Sequence, residues 1–98
     1  MGELRFEWDE AKDAANRRKH GVSFEEGASV FYDENALLLA DPDHSEEEDR
    51  FVLLGLSIQL RTVVVSHCYR VAEEVIRIIS ARKADRYERE EYNRRLRR

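Results

Sequence analysis

His67, Arg70, Arg77 and Arg82 follow one another within sixteen residues, and their types suit one chemistry. Histidine exchanges protons near neutrality, and arginine grips phosphoryl oxygens with a planar, charged fork. Attack by a neighbouring hydroxyl on a phosphodiester asks for a base, cations that stabilise the charged phosphorane, and an acid for the leaving oxygen. Each residue also has a structural role open to it. His67 can be a strand histidine bonded to backbone, and Arg77, inside an apolar strand, is costly to bury unless a carboxylate pairs it or phosphate reaches it. Arg82 and Lys83 fall at a strand–helix junction, able to reach substrate from the end of a sheet or simply to start a solvated helix. Lys19 and His20 read first as a cationic helix end, with phosphate contact as the alternative. Glu7 and Asp9 are possible partners for these cations, and Asp9 is first of all a helix cap.

Two other chemistries fail on spacing. His20, His44 and His67 with Asp41 and Asp43 hold no close ligand pair at the separations that zinc uses. Cys68 beside His67 is no thiol–imidazole pair, because adjacent strand residues point to opposite faces. No cofactor is expected.

These residues must be positioned by one small domain spanning residues 1–98, burying roughly 60–65% of its unfolded surface. The single cysteine permits no internal disulfide. No apolar run reaches the roughly 20 residues of a membrane span, and the N-terminus has no signal-peptide pattern. Gly2 is followed at the sixth residue by Phe6, where a myristoylation site has Ser or Thr. The expectation is a soluble cytoplasmic protein without membrane contact. The net charge of −4 hides a division: residues 1–49 carry 5 basic and 15 acidic side chains, residues 50–98 carry 12 and 6. Of the 17 cations 14 are arginine, which fits a phosphate-facing surface and equally an ion-paired helix.

Leu4 to Trp8 alternates as a short strand does. Asp9 predicts a helix to about Lys19, with Ala11, Ala14 and Ala15 as its inner face and Gly21 as its stop. Ser23 to Glu26 predicts a capping box and a second helix ending near residues 33–35. Ala36–Ala40, Phe51–Leu56, Thr62–Tyr69 and Val75–Ala81 read as strands, the last three consecutive and antiparallel. Residues 41–49 read as a turn and an acidic loop. By alternation Val63, Val65, His67 and Tyr69 share one face, and Val64, Ser66 and Cys68 the other. Arg77 and Ile79 then oppose Ile78, Ser80 and Arg82. From Ala84 onward a polar helix is predicted, its few apolar residues (Tyr87, Tyr92, Leu96) suggesting loose packing. The fold class is α+β: an antiparallel sheet, two N-terminal helices on one face and a C-terminal helix.

Several segments resemble the BrnT family of type II toxins: Phe6 to Lys12, Asn16 to Glu26, Asp41 to Ser45 with Arg50-Phe51, and Ile76 to Ala84 with Glu88 and Tyr92. They keep the family's order along almost the whole chain. Two positions depart from it: Ser57-Ile58-Gln59-Leu60 stands where the turn often holds glycine, and Tyr69 where an acidic residue is usual. The resemblance implies a RelE-like fold and metal-independent RNA cleavage through 2′-hydroxyl attack. It also implies a BrnA-like antitoxin of the ribbon-helix-helix type, DNA being contacted only through the toxin–antitoxin complex. On that footing His67 is expected to transfer protons, Arg70, Arg77 and Arg82 to hold the phosphate, and Lys83, Lys19 and His20 to contact RNA. The rival is a non-catalytic module of the same fold that binds protein or RNA.

Overall fold

The computed structural model describes residues 4–41, 50–70 and 74–97. The expected turn and acidic loop after Asp41, with His44, therefore lie outside the described residues. Among the described residues five strands and three helices follow in the order β1 (Phe6–Glu7), α1 (Glu10–His20), α2 (Phe24–Ser29), a 3-10 turn (Val30–Tyr32), β2 (Leu37–Ala40), β3 (Arg50–Leu56), β4 (Thr62–Arg70), β5 (Val75–Lys83) and α3 (Arg86–Leu96). They form one sheet in the order β1-β5-β4-β3-β2. β2 to β5 are antiparallel neighbours, but β1 runs parallel to β5. The sheet is thus mixed, a correction to the all-antiparallel expectation. Two helices intervene before the chain returns, so no hairpin dictates the direction of β1.

Helix α1 starts where Asp9 accepts from the backbone N–H groups of Ala11 (2.8 Å) and Lys12 (3.1 Å), and it stops at Gly21, in the left-handed region at φ 70°. Its inner face is polar rather than the expected alanine stripe. Asp13 accepts from the Phe24 N–H at 2.8 Å. Asn16 donates to the carbonyls of Val22 (2.8 Å) and Ala81 (2.7 Å) and accepts from the Ala81 N–H at 3.3 Å. The reason lies in the sheet. β1 pairs only with Ile76 and Arg77, so the outer edge of β5 beyond them needs other partners, and the Asn16 amide stands in for a strand.

Under α1 and α2 the first face of the sheet builds the main core, with Phe24, Val30, Leu53, Val63, Val65, Ile78 and Ala81. Helix α3 covers part of the second face through Tyr92, packed with Leu54, Val64 and Ala84. Contrary to the loose packing expected, Tyr92 is 3% exposed. Its hydroxyl donates to Asp33, which also accepts from the Leu56 N–H at 2.8 Å. Burial and that carboxylate push the Tyr92 pKa up to about 12, so it remains a donor at physiological pH.

The capping box expected at Ser23 is half formed. Ser23 accepts from the Glu26 N–H at 3.0 Å, but the Glu26 carboxylate turns to Arg61 and Ser57. The complete box stands at α3, between Asp85 and Glu88.

Candidate active site

One irregularity decides which side chains meet. Ser66 pairs with Ser80, but His67 pairs with Ile78, so Ile79 is an extra residue in β5. A bulge of this kind reverses the alternation beyond it. Arg77, opposite Cys68, and Arg82, opposite Val64, therefore share the second face, where strict alternation puts them on opposite sides. Arg50, also opposite Cys68, joins them from β3, and Arg70 from the end of β4.

On this face a groove of about 440 Å³ is lined by Asp41, Arg50, Ser66, Ser80, Arg82 and Glu88, with Val52, Val64 and Ile79 in its floor. The bulge presents both Ile79 and Ser80 to it. Arg82 meets Glu88 fork to fork, two bonds of 2.8 Å each, and Glu88 also accepts from the Asp85 N–H at 2.9 Å. Hydrogen bonding to Arg82 outweighs burial and holds the Glu88 carboxyl below its usual range, so it is ionised at neutrality. The Nε of Arg50 is shut from solvent and has no hydrogen-bond partner among the described residues. Such a donor is costly to leave unpaired, and residues 42–49, which lead into it, lie outside the described residues.

Arg77 and Arg70 lie toward the β1 edge of the same face, both drawn to Glu7, at 2.9 Å and 3.6 Å. The three arginines expected to act together, Arg70, Arg77 and Arg82, are thus brought to one face, each already paired with a carboxylate. Lys83 stands opposite Val63, on the helical face and beside Gly21 at the end of α1. Lys19 and His20 occupy the last turn of that helix. These three lie apart from the groove.

His67 is the main correction. It is 0% exposed and lies on the helical face, its ring centroid 4.7 Å from that of Phe31 and 5.3 Å from that of Tyr69. Its Nδ1 is 3.1 Å from the Val65 carbonyl, which can only accept, so Nδ1 carries the proton. Nε2 is then left to accept from the Tyr69 hydroxyl at 3.4 Å. Burial lowers its pKa. It has no route to substrate in the groove, because the sheet stands between them. A stability effect follows from the same burial. The unfolded chain binds a proton near pH 6.5 and the folded chain only at lower pH, so stability is full above about 6.5 and falls as the pH drops toward the folded value. The melting temperature is expected to decline between about pH 6.5 and 5, and His67→Phe, which suits the aromatic pocket, to flatten that decline; melting curves of both proteins across this range check it.

Sequence reasoning missed Arg50, Ser66, Ser80 and Glu88 as site residues. The signal for Ser66 and Ser80 was two small polar residues in adjacent strands otherwise rich in branched aliphatics. For Glu88 it was the position three after a helix-capping aspartate.

The chain matches, over residues 8–88, the family described as "Ribonuclease toxin, BrnT, of type II toxin-antitoxin system". Among solved structures it resembles the 1.1 Å crystal structure of the Brucella abortus ribonuclease toxin BrnT. The TM-score is 0.65 at 24% identity, over 86% of this chain and 100% of that one, a likeness of fold. No curated protein matches the chain.

Proposed function

Since the chain belongs to the BrnT family of ribonuclease toxins of type II toxin–antitoxin systems, we propose that it cuts RNA in the arginine-lined groove on the α3 side of the sheet. The gathering of four arginines on one face carries this reading, because the bulge at Ile79 sets Arg77 and Arg82 beside Arg50 and Arg70 along a groove where a phosphate chain needs cations. Arg50 and Arg82 hold the scissile phosphate, and Arg77 and Arg70 extend the cationic track along the strand backbone. Phosphate binding draws Arg82 away from Glu88, which frees the carboxylate from the bond that lowers its pKa, and Glu88 then accepts the proton of the ribose 2′-hydroxyl. The 2′-oxygen then bonds to phosphorus and the bond to the 5′-oxygen breaks. That oxygen takes a proton from water, leaving a 2′,3′-cyclic phosphate and a 5′-hydroxyl end. The arginines carry most of the acceleration, since they meet charge that grows at the phosphorane.

The arrangement is RelE-like in this reading, and the chain acts on message in the cytoplasm, halting translation and growth until a BrnA-like antitoxin of the ribbon-helix-helix type silences it. No helix among the described residues is long and apolar enough to cross a membrane. The pairing of Arg77 with Glu7 and of Arg82 with Glu88 also suits a non-catalytic binding module, so the test must separate the two. Purified protein incubated with RNA in excess EDTA is expected to give fragments with cyclic phosphate and 5′-hydroxyl ends. Intact RNA under all conditions, with normal growth when the gene is induced alone, would favour the module.

A further inference from the structure

The β3–β4 turn, Ser57 to Arg61, carries a cost with no visible return inside the molecule. Leu60 has φ 64°, the only residue besides glycine at positive φ among the described residues, in a conformation that disfavours side chains. Yet Leu60 is 79% exposed and Ile58 75%, so neither packs against the core. Tyr32, 63% exposed, and Leu56 line a concavity together with Ile58. The turn is held firmly all the same. The Leu60 N–H donates to the Ser57 carbonyl at 2.9 Å, the Ile58 N–H to Ser29 Oγ at 2.9 Å, and Ser57 Oγ to Glu26 at 2.7 Å. Two concavities of about 500 and 420 Å³ adjoin it, with Ser29, Tyr32 and Ile58 in the walls of both.

Strain kept at a rigid turn that displays apolar side chains beside a concavity is the pattern of a preorganised anchor for another protein. The surroundings carry an acidic excess: Glu25 stands in one wall, Asp33 in the other and Glu34 exposed nearby, against Arg61, spent on Glu26, and Arg95, bonded to the Asn35 carbonyl. They repel a phosphate backbone and favour a partner with basic flanks. The turn also lies at the far end of β3 from Arg50, six residues or roughly 20 Å away, so an occupant here need not fill the groove.

We infer that the Tyr32–Leu56–Ile58–Leu60 surface anchors the antitoxin, receiving an apolar segment flanked by basic side chains. The inference rests on the toxin reading above, yet its test does not need RNA cleavage. The probe is the cognate antitoxin, titrated against the full chain by calorimetry. Ile58→Asp with Leu60→Gly is expected to weaken binding at least 100-fold, and to leave RNA cleavage within twofold but no longer silenced. Leu60→Gly alone is expected to weaken binding about tenfold while raising the melting temperature by a few degrees, since glycine relieves the strained turn; a misfolded variant would do the reverse. Binding within threefold of the parent for the double variant would overturn the inference. So would a self-associating parent that the same changes disperse without loss of antitoxin affinity. If the parent cuts no RNA but the binding arm behaves as stated, the catalytic reading fails and the anchor stands.

Discussion

Arg50→Ala is expected to slow RNA cleavage by about 100- to 1,000-fold, the loss that follows removal of one preorganised donor to a charged transition state. Arg50 opens β3 directly opposite Cys68, which in turn faces Arg77. It therefore sits in a row that crosses the sheet toward Glu7. Its Nε has no partner among the described residues, whereas the Arg82 guanidinium is already engaged by Glu88. The difference predicts an order of sensitivity. Arg50→Lys keeps the charge but loses the fork and is expected to recover only a small part of the rate. Arg82→Ala also frees Glu88 and disturbs the start of α3, so its loss of activity comes with some loss of stability. Initial rates on a short RNA, with circular dichroism to confirm the fold, distinguish these outcomes. A rate for Arg50→Ala within threefold of the parent would remove Arg50 from the mechanism.

The largest effect on stability is expected on the opposite face, at Arg61. Glu26 is 5% exposed and is satisfied by two Arg61 bonds of 2.7 Å and by Ser57. Hydrogen bonding to Arg61 outweighs burial and lowers the Glu26 pKa. Arg61 additionally donates to the Gly21 carbonyl at 2.8 Å, fastening the end of α1 to the β3–β4 turn. Arg61→Ala strands a buried carboxylate and is expected to cost about 3 kcal/mol, a fall of roughly 12–24 °C in melting temperature for a domain of this size. Adding Glu26→Gln removes the stranded charge and is expected to restore a good part of that loss. Glu26→Gln alone costs less, because Arg61 has solvent to turn to. Denaturant and thermal unfolding of the three variants measure this, and additive effects would deny the coupling.

The strand order of the C-terminal half was legible because Thr62–Arg70 and Val75–Lys83 are long runs of branched residues, and helix ends were legible because Asp9, Gly21 and Ser23 cap by local chemistry. What escaped depends on partners distant in sequence. The bulge at Ile79 has no local marker, yet it alone brings Arg77 and Arg82 to one face. The direction of β1 is set by where α1 and α2 deliver the chain. The polar inner face of α1 makes sense only once Ala81 is known to lie on a strand edge without a strand partner. His67 was singled out for its chemistry, and its alternation with Val63 and Val65 was read correctly. That alternation also places it with the core, because Val63 and Val65 are fully buried.

The account stands most directly on whether RNA meets the arginines of the groove. In a nitrogen–proton NMR spectrum of the arginine side chains, assigned with Arg50→Lys, a short RNA blocked by 2′-deoxyribose at the cleavage step is titrated in. The Arg50 and Arg82 signals are predicted to move as RNA is added. If both stay still while the backbone amide resonances of Lys19, His20 and Lys83 shift in the same titration, RNA binds the helical side and the groove is not where it is cut.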